Sequence, residues 1–155
     1  MSASDTDLRR GIAVLEQYRA QIEALAQQQE IVRVSLEEYL RARETLSRYK
    51  DAGPGAEILL PVGAQSFLVG QVKDSEKAFV GIGSDLIVFD DIPAQVERLD
   101  ARIKSITDAA NAIGQRIGEM QRRADMQGAL VEDAYAKLQS GRASGRRCSR
   151  RSGTG

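Results

Sequence analysis

Few side chains in this 155-residue sequence are equipped for chemistry, and none stands in an arrangement that would use it. There is no His, which removes the commonest general acid–base group and the usual zinc ligand sets. The only Cys is Cys148, so no disulfide can form within the chain. Asp, Glu, Lys and Ser are present, but no motif marks any of them as catalytic. No GxxxxGK[ST] phosphate loop occurs. Gly81-x-Gly83 is a lone fragment without its third Gly, placed before a strand rather than a helix, and it reads as a turn. The arginines at the C-terminal end are the strongest charge feature. From Ser140 the sequence SGRASGRRCSRRSGTG carries Arg142, Arg146, Arg147, Arg150 and Arg151 and no acid. Such a tail suits phosphate contact, although a solvated basic tail is the commoner explanation. Taking these five from 22 basic residues leaves 17 against 22 acids, so the body carries −5 beneath a neutral total. An acidic body with no basic stripe and interleaved aromatics disfavours nucleic-acid binding. These observations lead away from an enzyme, and no cofactor or metal is expected.

Function must then reside in apolar surface, which directs attention to the elements that carry it. The central stretch Glu57–Asp91 is rich in Ile, Leu, Val and Phe in short bursts, punctuated by Gly, Pro and Asp-Ser. That pattern predicts strands and tight turns. Ile58–Pro61 and Phe67–Lys73 form a first hairpin about Val62-Gly63-Ala64-Gln65. Asp74-Ser75-Glu76-Lys77 turns the chain, and Ala78–Ile82 and Leu86–Phe89 form a second hairpin about Gly83-Ser84-Asp85. A segment this short cannot bury a core of its own, because a few strands need another layer to cover them. The sheet is therefore expected to find its second half on another chain.

Both flanks read as helix. The first begins near Ser4 or Asp5, either of which could cap it. Its apolar residues fit two heptad series. One runs Leu8, Leu15, Ile22, Gln29, Leu36, Arg43, and the other Gly11, Tyr18, Leu25, Val32, Tyr39, Leu46. The helix is expected to stop at Lys50-Asp51-Ala52-Gly53-Pro54-Gly55. Asp90 or Asp91 caps the second helix, with Pro93 in its first turn. Its seam runs Ile92, Leu99, Ile106, Ile113, Met120, Gln127, Ala134, interleaved with Val96, Ile103, Ala110, Ile117, Ala124, Val131 and Leu138. All but Gln127 are apolar. The helices have nearly matched lengths and can pair antiparallel, giving an arm on the order of 60 Å. Gly114, Gly118 and Gly128 interrupt the second helix, either as tolerated outward-facing positions or as a softened arm. The polar N-terminus has no signal-peptide core, and no window is apolar enough for a membrane span. The cytoplasm is the expected location.

The expected fold class is α+β and mainly helical: a long antiparallel coiled-coil hairpin whose two central β-hairpins complete an intersubunit β-barrel. One domain is expected, with a helix over 4–52, hairpins over 56–90, a helix over 91–139 and a disordered basic tail over 140–155.

Laid out in this way, the sequence resembles the alpha-class subunit of prefoldin. The residues that carry the likeness are Glu57-Ile58-Leu59-Leu60-Pro61-Val62-Gly63, then Ser66-Phe67, then Val80-Gly81-Ile82-Gly83-Ser84. Heptads alone would be unspecific, whereas this central block is not, and two hairpins rather than one indicate the alpha class. The resemblance spans roughly Leu8 to Leu138. It implies a hexamer of two alpha and four beta-class subunits, joined through a double β-barrel with coiled-coil arms. It further implies that the arm tips hold non-native polypeptides and deliver them to a group II chaperonin without ATP.

The residues expected to join subunits are Ile58, Leu60, Phe67, Val69 and Phe79, together with Val80, Leu86, Val88 and Phe89. Those expected to meet clients at the arm tips are Leu8, Ile12, Leu15, Val131 and Leu138, where the alternative is ordinary seam packing. A rival reading is a structural adaptor or spacer that binds no client. Apolar composition at the arm ends, which a spacer has no need to keep, discriminates the two.

Overall fold

The computed structural model describes residues 3–149, with side chains placed over 5–141. Six elements follow in order: α1 (Ala3–Ala52), β1 (Glu57–Gly63), β2 (Ser66–Gln71), β3 (Lys77–Gly83), β4 (Leu86–Asp91) and α2 (Ile92–Ser149). They divide between two compact units. One is Ile31–Ala110; the other joins the helical residues up to Glu30 with those from Asn111.

In the Ile31–Ala110 unit, α1 ends at Ala52 because Gly53 and Gly55 take positive φ of 74° and 86° about Pro54, a backbone shape that stops a helix. The strands then pair as two separate antiparallel hairpins, β1 with β2 and β3 with β4. Both turn in the same way. Ala64 and Gln65, like Ser84 and Asp85, have φ between 46° and 58°. Positive φ at both central residues marks the tight turn whose twist matches paired strands. Gly63 and Gly83 precede these turns, and the register shifts beside each of them leave Val62 and Ile82 outside the ladder. Asp91 occupies the position before α2, and Pro93 lies in its first turn.

The helical segments of this unit run antiparallel. The Arg43 guanidinium binds the Asp100 carboxylate, and Arg102 lies over the Tyr39 ring at 6.0 Å. The same sense holds in the other unit, where Gln127 Nε2 donates to the Gly11 carbonyl at 3.2 Å. A Cβ added at Gly11 would lie 3.1 Å from Val131 Cγ2, so the helices approach closely there. Every apolar residue of the two expected seams is half-buried or buried, as the heptad reading requires.

Two boundaries differ from expectation. α1 already begins at Ala3, ahead of either proposed cap. α2 continues to Ser149 rather than ending at Gln139; residues 140–149 contain no Pro, and their Ala and Arg are good helix formers. The end of the expected basic tail, 150–155, lies outside the described residues. Gly114, Gly118 and Gly128 are half-buried rather than outward-facing. Among the described residues no helix is long and apolar enough to cross a membrane.

Candidate functional site

Small residues and backbone bonds hold the roots of the hairpins. Gly55 N–H donates to the Val72 carbonyl at 2.7 Å, and Val72 N–H to Ala56 at 2.9 Å. The loop after β2 is pinned by Tyr49 Oη, which donates to the Asp74 carbonyl at 2.7 Å. Ile92 N–H, the first of α2, donates to the Glu76 carbonyl at 2.8 Å, so one of the orphan donors of that helix start is satisfied. Val72, Ser75, Ile92, Gln95 and Leu99 are the buried residues of this junction.

Gln95 is the polar centre of the junction. Its side chain is fully buried, and Nε2 donates to the Ala78 carbonyl at 3.0 Å and the Val88 carbonyl at 2.7 Å. One amide thus ties both strands of the second hairpin to the first turns of α2. Arg98 donates to Gln95 Oε1 at 3.1 Å and to Asp90 Oδ2 at 2.7 Å. The Arg98 hydrogen bond, followed by the Asp91 N–H, holds the Asp90 carboxyl below the usual carboxylate range. Asp100 in turn raises the Arg43 guanidinium further above its ordinary value, first through their hydrogen bond.

The ladders assign each strand residue to a face, since paired residues point the same way and neighbours in sequence point oppositely. In the second hairpin, Ala78, Val80, Val88 and Asp90 share the face that sits over α2, and all are half-buried. Its other face shows Phe79, Ile87 and Phe89 to solvent. Phe79 stacks on Phe89 at 4.4 Å between centroids yet remains 72% exposed. The first hairpin is apolar on both faces: Ile58, Leu60 and Leu68 on one, Leu59, Pro61, Phe67 and Val69 on the other. Among these, Val69 is 71% exposed. The nine residues expected to join subunits thus divide. Leu60, Phe67, Val69, Phe79, Leu86 and Phe89 are exposed, while Ile58, Val80 and Val88 are half-buried within the chain. Leu59, Val62, Leu68, Ile82 and Ile87 are equally exposed and were not singled out. An unbroken apolar run such as Ile58–Leu60 carries the signal that both faces seek cover.

The helix ends form a second apolar surface of different character. Leu8, Leu15, Val131 and Leu138 lie half-buried in the seam, and only Ile12 among the five expected client contacts is exposed, at 40%. Met126, Leu130 and Tyr135 are the residues that sequence reasoning passed over; Met126 is 63% exposed. Each stands one position off the heptad series, and being apolar there was the available signal. No group of three or more metal-ligating side chains gathers among the described residues.

The comparisons with known proteins agree with this architecture. A family model described as prefoldin subunit matches residues 18–137. Prefoldin subunit alpha of Pyrococcus horikoshii is 31% identical over 132 residues, covering 80% of this chain and 89% of that one. Prefoldin subunit alpha 1 of Thermococcus kodakarensis is 36% identical over 86 residues, which span 56% of this chain and 59% of that relative. Among solved structures, filamentous PFD from Methanocaldococcus jannaschii superposes with a TM-score of 0.64 at 21% identity. That match covers 76% of this chain and 97% of the other. The prefoldin beta subunit of Thermococcus strain KS-1 follows with a TM-score of 0.55 at 19% identity, covering 83% and 91%. The family match and the alpha relatives together lead to one conclusion: this chain belongs to the prefoldin chaperone family, in its alpha class.

Proposed function

We propose that this chain is the alpha-class subunit of an ATP-independent holdase, assembled through its hairpins and binding unfolded polypeptide at its helix ends. The observation that supports assembly is the first hairpin, apolar and exposed on both faces. Covering a Leu or Phe of this kind stabilises by about 1.5–3 kcal/mol, and an uncovered strand edge invites aggregation unless it is paired or closed into a barrel. In this reading the hairpins of two such chains and four beta-class subunits close a β-barrel platform. The complex holds non-native chains in the cytoplasm, passes them to a group II chaperonin, and catalyses no reaction.

Client binding is supported by Ile12, Met126, Leu130 and Tyr135, exposed apolar side chains that a spacer would have no reason to keep. Individually weak contacts repeated over several subunits give avidity without permanent capture. The test is to delete residues 1–14 together with 126–155. The truncated chain is expected to assemble as the full chain does and to lose suppression of client aggregation. Full suppression by the truncated complex would overturn the client-binding reading.

A further inference from the structure

We infer that Gln95 is the positioning residue that sets the second hairpin in the pose required for assembly, an inference that rests on the hairpin-mediated assembly proposed above. Three observations carry it. Gln95 is fully buried although it stands between seam positions, where the heptad pattern expects a solvent-facing residue. Its single Nε2 serves one carbonyl on β3 and one on β4, at 3.0 and 2.7 Å. Its Oε1 is held in turn by Arg98, whose other nitrogen grips Asp90 at the foot of β4. Both ends of the amide are therefore used, and its orientation is fixed by a partner that also belongs to the hairpin root.

An apolar side chain of the same size would fill the space but remove the one donor that ties both strands to α2, and apolar atoms would then face two strand carbonyls. The hairpin would answer by lifting from α2. Phe79, Ile87 and Phe89 lie on the opposite face of the same two strands, so lifting would tilt the surface offered to a partner. Among the described residues no side chain ties both strands of the first hairpin as Gln95 ties the second, and backbone bonds hold its root. Its pose is left for the partner to set.

The experiment compares the full-length chain with its Gln95→Met variant in two arms. In the first, each is titrated with a beta-class prefoldin subunit and the complex is quantified by analytical ultracentrifugation. In the second, amide hydrogen exchange is followed on the free chain. Gln95→Met is expected to weaken assembly about tenfold or more and to speed exchange in β3 and β4 selectively, leaving β1, β2 and the helices as they were. A purely structural role would instead lower protection in both hairpins and both helices together, and that result would overturn the inference. So would assembly at the affinity of the unaltered chain. Arg98→Met, which keeps the Gln95 donors but frees their orientation, is expected to fall between the two. Failure of the unaltered chain to assemble would contradict the proposed function, while the exchange arm would still decide whether Gln95 seats the hairpin.

Discussion

Large apolar side chains are exposed along the middle of α1, as Ile31, Val34 and Leu40, on the hairpins and toward the helix ends, and the last two regions do so differently. On the hairpins the exposed residues come as paired sets across ladders, Leu59 beside Val69 and Phe79 beside Phe89. On the helix ends they stand singly at the margin of a seam, as Ile12, Met126, Leu130 and Tyr135. A continuous apolar ribbon can be covered only by a shaped and lasting partner, because its edges also carry backbone groups that require pairing. Scattered flank residues lack such edges, since the helix backbone satisfies itself. They suit contact that forms and breaks. The same kind of side chain thus suits lasting assembly in one place and transient contact in the other, and the supporting backbone makes the difference.

The comparison breaks most readily on the first hairpin. Phe67→Asp would bring an unpaired charge into the covered face, which is expected to weaken assembly with a beta-class subunit by roughly a hundredfold or more. The free chain should keep its helix content, because Phe67 is exposed in it. Titration followed by light scattering checks the first outcome and circular dichroism the second. An equal loss of helix would mean that Phe67 belongs to an internal core.

A smaller effect is expected at the helix ends. Met126→Ser combined with Leu130→Ser should reduce suppression of client aggregation by roughly three- to tenfold with assembly intact. The seam change Leu138→Ala should do the reverse, lowering thermal stability by about 1–3 kcal/mol with less effect on clients. If the two variants exchanged behaviours, the division between seam and flank would be wrong.

The least perturbing test uses pH. The Asp90 carboxyl is held below its ordinary range in the folded chain, chiefly by Arg98. Its contribution is therefore complete above the unfolded value, about 3.9, and is lost as pH falls through the lower folded value. Exchange in β3 and β4, corrected for the intrinsic pH dependence of amide exchange, should be unchanged between pH 7 and 5 and should quicken below about pH 4. Asp90→Asn should abolish that pH response. A response near pH 6 would contradict the assignment.

Much of this architecture was legible in the residues because it rests on local rules. Gly53-Pro54-Gly55 stops a helix by backbone geometry alone, and the turns at Gly63 and Gly83 follow from positive φ. The seam from Ile92 to Leu138 is a periodicity. What escaped depends on tertiary placement. Gln95 looked like one polar residue between seam positions, since nothing local says that two strand carbonyls will converge on it. Val80 and Val88 resembled Phe79 and Phe89 in type, but their face is decided by the docking of the hairpin on α2. Met126 and Leu130 were hidden by the stronger heptad beside them. The extent of α2 differs because residues 140–149 read as a tail from their Gly, Ser and Arg content and lack of an apolar pattern, although none of these forbids a helix.

The central claim is that the exposed hairpins are completed by other subunits, and native mass spectrometry of the full chain purified with its cellular partners tests it most directly. The account predicts a complex of two copies of this chain with four copies of a beta-class prefoldin subunit. A monomer, or a simple dimer without such a partner, would contradict it.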